Sequence, residues 1–366
     1  MPHTDKMGIL RERSCVLCHG TSPRPSAALG ICVNCLHKQF PTARPHLQAA
    51  HVKSRAEFDL PIEPPRNSDG IRCTLCSNEC VIGEGERGFC GLRMVQSRRL
   101  THIAGTPAHG LLQWYRDPLP TNCVADWVCE GSRHPGYHNL AVFYRSCTAN
   151  CLFCQNWHFR DTPIPESETI SADELASAAN SSTFCVCFFG GDPASQLPHA
   201  LATSKHLAKR GVRICWETNG MMHPKLLDRA VEYSIRTGGC IKFDLKAFDE
   251  NVHLGLTSVS NKRTLENFAR IAQHYSERPE LPLVIASTLL VPDYVDVDQV
   301  SKIADFVASI DPQIPYSLLA FVPNFYMTDL LRTSEHHAYE AEAAARKAGL
   351  VNVRIGNRHL LEPAKD

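Results

Sequence analysis

The sequence predicts an α/β protein, a parallel sheet with helices outside it, preceded by small cysteine-rich metal-binding segments. Three observations lead there. From Leu140 onward, strand-like apolar runs alternate with helix-like stretches in six successive units, the pattern that builds a parallel sheet. Cysteine is abundant, with 17 residues, and most fall in groups with metal-ligand spacing. Charge balances at 38 basic against 38 acidic residues, and no apolar run approaches the ~20 residues of a membrane span, so neither a polyanion nor a bilayer is the default partner.

Taken in order, Met1 to Arg13 is polar and charged, with no secretory signal to read. The expected compartment is therefore the cytosol, where thiols stay reduced. Residues 1–60 carry Cys15-Val-Leu-Cys18 and Cys32-Val-Asn-Cys35, separated by a turn-rich loop with Gly20, Pro23, Pro25 and Gly30. Four thiolates on two tight turns suit a closed tetrahedral zinc site that holds a short fragment together. His19 and His37 read as exposed neighbours, not ligands. Residues 41–66, with five prolines, read as a linker around one short helix.

Residues 61–135 form a second cysteine-rich segment. Cys73, Cys76, Cys80 and Cys90 have C-x2-C-x3-C-x9-C spacing. Four soft ligands suit zinc or a second iron–sulfur cluster; spacing does not decide, and zinc is the first choice. Leu100 to Leu112 reads as a small sheet. Cys123 and Cys129 are open to three readings: a redox pair, extra ligands, or packing.

Residues 136–366 hold the βα units. Strands are expected at 140–145, 184–189, 212–217, 240–245, 283–291 and 316–321. Helices are expected from a capping box at Ser171–Glu174 and at 195–210, 224–236, 261–276, 296–309 and 334–348. Cys185, Cys187, Cys215 and Cys240 lie in these strands and read as small core residues. After the first strand comes Cys147-Thr-Ala-Asn-Cys151-Leu-Phe-Cys154. Three thiolates this close can hold three irons of a 4Fe–4S cube and leave the fourth open. A zinc knuckle is the plain alternative. Strand ends are where such folds keep their active residues. They carry Gly190-Gly191-Asp192-Pro193, Glu217-Thr218-Asn219-Gly220 and Lys242-Phe243-Asp244-Leu245-Lys246.

The Cys147, Cys151, Cys154 spacing resembles the cluster motif of radical S-adenosylmethionine (SAM) enzymes. The likeness extends from Cys73 to Asn357, through Arg87-Gly-Phe-Cys-Gly91, Gln155-Asn156-Trp157, Ser287 to Pro292 and Phe321 to Asp329. Its nearest form is the AmmeMemoRadiSam group, related to pyruvate formate-lyase activating enzymes. The resemblance implies a partial (β/α)6 TIM-type barrel, a 4Fe–4S cluster on the three cysteines, and SAM on its open iron. SAM cleavage to a 5′-deoxyadenosyl radical would abstract hydrogen from a substrate. Gly190 and Gly191 would meet SAM through backbone groups. Asp192 stands where the group has glutamate. Asn219 lies at a second SAM-facing strand end, and Lys246 would touch SAM. Glu217, Thr218 and Asp244 would make a monovalent-cation site, and Asn156 would donate a hydrogen bond at the cluster. The implied partners are an electron donor such as flavodoxin or ferredoxin and a protein or peptide substrate, a glycine position first. A small-molecule substrate, or a non-catalytic multi-zinc scaffold, stays open beside it.

Overall fold

The computed structural model describes residues 13–120, 123–161, 164, 168–278 and 280–363; the polar stretch before Arg13 lies outside them. The chain begins with the two cysteine knuckles, then helices α1 (Val33–Lys38) and α2 (Phe40–Ala56). The second is 17 residues long, where a short helix in a linker was expected. Pro41 sits in its first turn, where a missing N–H costs nothing, and Pro45 is tolerated just beyond. Two small antiparallel hairpins follow, β1 (Ile71–Arg72) with β2 (Val81–Ile82), and β3 (Arg93–Gln96) with β4 (Arg99–His102). The small sheet thus precedes residue 103, and Leu112–Pro118 forms β5, an antiparallel edge to β6 (His138–Tyr144).

The units then run in order: α3 (Ala172–Ser177), β7 (Thr183–Phe189), α4 (Leu197–Lys209), β8 (Arg213–Thr218) and α5 (Pro224–Thr237). They continue through β9 (Ile241–Asp244), α6 (Glu250–Thr257), α7 (Lys262–Ala272), β10 (Val284–Leu290), α8 (Val297–Ile310), β11 (Tyr316–Ala320), α9 (Glu335–Lys347) and β12 (Val353–Gly356). The strands lie in sequential order from β5 to β12 in one eight-stranded sheet, parallel from β6 onward. This is a partial barrel, open between its two edge strands. The six predicted strands and helices are all present, and the capping box at Ser171 is formed in both directions. Helix α6 was not foreseen; its eight residues hold no long amphipathic stripe, but Asp249 caps its first turn.

Alternation along the strands sorts side chains to two faces. Leu140, Val142, Val186, Phe188, Ile214 and Trp216 pack outward under the helices. The opposite face turns into the lumen. A second core joins the ribbon to the barrel mouth: Leu36, Leu47, Leu152, Tyr294, Phe321 and Met327 share it. Tyr294 fixes the contact, its hydroxyl donating to Ile31 O at 2.8 Å and accepting from Ser26 N at 2.8 Å.

Candidate functional site

The loop from Ser146 to Cys154 leaves the C-terminal end of β6 and is tied down along its length. Asn150 N donates to Thr257 O at 2.8 Å and Leu152 N to Leu256 O at 3.0 Å, at the end of α6. Asn150, fully buried inside the cysteine motif, spends its whole side chain on the loop's surroundings. Its Nδ2 donates to His51 Nδ1 at 2.9 Å and Ser54 Oγ at 2.8 Å, and its Oδ1 accepts from Arg160 at 2.9 Å. His51 then donates through Nε2 to Gly255 O at 3.0 Å. Helix α2 of the N-terminal segment therefore braces the loop. Sequence reasoning missed Asn150, and its only signal was a buried amide between two candidate ligands.

Burial pushes the Cys147, Cys151 and Cys154 thiols up, Cys151 to about 12. Three thiolates this far from water need a cation to neutralise them. Among the described residues, the one group of three or more ligands within 4.8 Å of one another is the ribbon's. The Cys147, Cys151 and Cys154 sulfurs are thus not gathered for a single ion, as a cube, which spreads its thiolates over several irons, requires. Nearby donors suit a cluster. Ala149 N lies 3.4 Å from Cys147 Sγ, and the Asn156 backbone N–H opposes the upward push of burial at Cys154. Asn156 therefore faces the cysteine loop through its backbone.

The strand ends meet this loop. Gly190 and Gly191 both have positive φ, +63° and +49°. A Cβ on Gly191 would lie 2.3 Å from both Tyr144 O and Ser146 O. Only glycine permits that approach. Asp192 is buried, and its carboxylate accepts from Ala194 N and Asn219 N, both at 2.7 Å, and from the Thr218 hydroxyl at 3.1 Å. It staples the end of β7 to the end of β8, so its side chain is occupied by the chain itself. Burial raises it to about 6 against those donors. The Thr218 hydroxyl is committed to this staple, and Glu217 pairs with Lys242 at 3.5 Å. Asn219 Nδ2 donates to Thr148 Oγ1 at 2.9 Å and lies 3.8 Å from Cys147 Sγ. Asp244 pairs with Lys246. Burial would lower the Lys246 ammonium, yet Asp244, Cys151 and Cys147 hold it well above its ordinary value. A cation thus sits over the cysteine loop at the end of β9.

The two N-terminal cages differ. In the ribbon, Cys15 and Cys35 sulfurs are 3.7 Å apart and Cys18 and Cys32 3.8 Å apart. Ligands at ~2.3 Å from a tetrahedral ion stand about this far from each other. Against burial, the N–H groups of Cys32, Cys18 and Leu17 hold Cys15 down at about 6. His37 pairs with Asp249 at 3.1 Å and is not a ligand. Cys73, Cys76, Cys80 and Cys90 wall one cavity with Arg93 and Thr148, but no three of them draw within single-ion distance. The cavity abuts the cysteine loop: Ser146 Oγ donates to Cys90 O at 2.8 Å, and Asn78 donates to Thr148 O at 2.7 Å. Arg55, 1% exposed, lies between the two. Burial lowers it to about 9, and Cys147, Cys90 and Cys80 pull the other way. Beside Cys90 and Cys147 opens a cleft of about 540 Å³ lined by Arg87, Arg145, Arg160, Phe58 and Phe159.

Comparison with known proteins agrees with this geometry. Residues 141–307 match the model of the Radical SAM superfamily. A protein of Methanocaldococcus jannaschii named as a glycyl-radical enzyme activating enzyme is 34% identical over 36% of this chain and 48% of its own length. The chain thus spans about half the length of that relative. An uncharacterised protein of the same organism is 23% identical over 78% of this chain and 81% of its own. The pyruvate formate-lyase 1-activating enzyme of Escherichia coli K12 is 26% identical over 43% of this chain and 63% of its own. Among solved structures, Streptococcus suis SuiB bound to S-adenosylmethionine aligns with a TM-score of 0.47 and 14% identity, over 62% of this chain and 53% of SuiB.

Proposed function

We propose, from the premise that this chain is an enzyme of the radical SAM class, that it uses Cys147, Cys151 and Cys154 to hold a site-differentiated 4Fe–4S cluster. When bound, the cluster and SAM supply an electron and a 5′-deoxyadenosyl radical that removes a hydrogen atom from the substrate. The observation that carries the reading is the three-cysteine loop itself. Cys151 is buried and Cys147 and Cys154 are part-buried; their sulfurs are spaced beyond single-ion distance and set against the open backbone of Gly190 and Gly191.

The chain's own residues position and exclude. Gly190 and Gly191 let an amino acid moiety approach the backbone, and Asp192 keeps their two strands in register. Lys246 places a cation over the mouth, suited to a carboxylate or to ribose oxygens. Glu217 and Asp244 face the lumen as acceptors. The ribbon cysteines Cys15, Cys18, Cys32 and Cys35 hold structural zinc. Cys73, Cys76, Cys80 and Cys90 hold a second iron–sulfur cluster. The substrate is a backbone carbon of a protein or peptide, as the names of the activating-enzyme relatives indicate. The mixed apolar and arginine-lined cleft beside Cys147 supports a peptide over a small metabolite. The reductant is a flavodoxin or ferredoxin of the cytosol.

The test is anaerobic incubation of reconstituted protein with SAM and dithionite, measuring 5′-deoxyadenosine and methionine. Both should form, and Cys147→Ala should abolish them while zinc content stays. A protein that cleaves no SAM with its cluster intact overturns the reading.

A further inference from the structure

The lower half of the barrel lumen holds a second concentration of sulfur. Cys185 and Cys187 of β7, Cys215 of β8 and Cys240 beside β9 turn inward from the wall. Cys187 pairs directly with Cys215 across the two strands. The connection from β5 to β6 does not pass outside the barrel. It enters from the floor, and Cys123 and Cys129 join the wall cysteines around one chamber. The entry is built, not incidental. Trp127 Nε1 donates to Ser317 Oγ at 3.1 Å, Ser317 Oγ donates to Val124 O at 2.7 Å, and Arg354 meets Asp126 at 3.7 Å. Cys240 to Cys187 and Cys123 to Cys129 thus converge from four separate stretches of chain.

The chamber also carries a buried cation. Lys242 is 1% exposed, with Nζ 3.1 Å from Cys123 Sγ, 3.0 Å from Cys187 Sγ and 3.5 Å from Glu217. A buried ammonium is costly unless anions surround it. Its one carboxylate partner is the farthest of the three, and the others are sulfur. The charge balance asks for thiolates. The space between the sulfurs is about 30 Å³. Six cysteines line it, with Lys242, Asn139, Asp126 and Ser132 as the polar remainder.

We propose that this chamber is a metal–thiolate site, taking a soft, thiophilic centre held by Cys123 and Cys129 together with wall cysteines among Cys187, Cys215, Cys185 and Cys240. Lys242 balances its negative charge. Soft thiolate donors select iron–sulfur clusters, zinc or copper(I) over hard cations. The site is separate from the cysteine loop at the mouth. Cys187 lies four residues before Gly191 and Lys242 four before Lys246, so the chamber sits about 13 Å deeper along the strands.

The test does not depend on SAM cleavage. In a Cys147→Ala/Cys151→Ala/Cys154→Ala background, iron, sulfide, zinc and copper per chain are measured anaerobically with and without added Cys123→Ser/Cys129→Ser. Loss of about four iron with about four sulfide assigns a cluster to the chamber. Loss of about one zinc or copper alone assigns a single ion, which would have to draw together sulfurs of which no three lie within 4.8 Å of one another. Unchanged content of all four overturns the site. The second measurement uses the unmodified holoprotein. Cys123 and Cys129, both part-exposed, should resist iodoacetamide until a chelator strips the metal. Equal labelling before and after chelation overturns the proposal even if the variants fail to fold.

Discussion

Replacing Asn150 with alanine should release the cysteine loop from helix α2. The side chain is fully buried and makes three side-chain hydrogen bonds, to His51, Ser54 and Arg160. Its removal leaves the buried Arg160 guanidinium short of a charge-assisted bond, and leaves His51 Nδ1 and Ser54 Oγ without that donor. Each orphaned buried group costs ~1–3 kcal/mol, so the loss is on the order of 3–5 kcal/mol after local relaxation. The same change frees the backbone between Cys147 and Cys151. The assay is anaerobic: visible absorbance per chain after reconstitution, its rate of bleaching with a chelator, and a thermal melt. Asn150→Ala should melt lower and bleach faster. Asn150→Asp separates the network from mere volume. It keeps an acceptor for Arg160, but it can no longer donate to His51. A carboxylate there raises the His51 pKa from about 4, so this variant should lose less stability than the parent as pH falls from 6.5 toward 4. A wild-type melt and bleaching rate for Asn150→Ala would refute the brace. By the same logic, Cys15→Ser should weaken the cluster as well as the ribbon, because α2 follows directly from the knuckles and both pack in one core.

Two further outcomes follow from single groups. His51, His199 and His253 are buried and held near 4 chiefly by burial, below the ordinary 6.5. Their folded values are depressed, so stability is full above ~6.5 and falls toward pH 4, by up to ~3 kcal/mol each; Asp192, raised to about 6, acts with opposite sign over part of that range. Urea melts at pH 7.5 and 5.0 should show the drop, and a flat profile would contradict it. Gly191→Ala should abolish cluster incorporation because its Cβ strikes backbone oxygens at 2.3 Å, whereas Gly211→Ala, with φ +76° and open space, should cost only ~1–2 kcal/mol and leave the cluster. Equal iron content in the two variants would refute the steric account.

The alternation of strand and helix was legible because each signal is local. Apolar runs, the Ser171 capping box and the Gly349 stop act within one turn or one strand. The cysteine motif and the glycines at Gly190 and Gly191 were legible for a similar reason, since ligand spacing and close backbone approach are written in adjacent residues. What stayed hidden depends on distant pairs. Asp192 reads only as a shorter acid in place of the group's glutamate; that Asn219 and Thr218 arrive from the next strand and occupy its carboxylate is not written in its neighbours. Cys185, Cys187, Cys215 and Cys240 read as core filling, and they do pack in one buried cluster with Ala125 and Ile285. Only the inward path of residues 123–129 turns that wall into a chamber.

The same contrast explains why the N-terminal segments are not ornaments on the barrel. The proposed radical-generating centre must be buried, yet its loop is short and its thiolates are costly to bury. The barrel end supplies Thr257 O and Leu256 O to the loop backbone and Arg160 to the Asn150 carbonyl oxygen, but no acceptor for the two Asn150 side-chain N–H groups. Those partners come from α2, and Arg55 of the same helix places a cation between the loop and the Cys73–Cys90 cage. A chain beginning at β6 would keep every strand of the parallel sheet and every residue of the cysteine motif. It would lose His51, Ser54 and Arg55, and with them the groups that satisfy and neutralise the loop. The cysteine-rich segments and the barrel are therefore coupled through one helix, and the cost of separating them falls on the Cys147–Cys154 loop first.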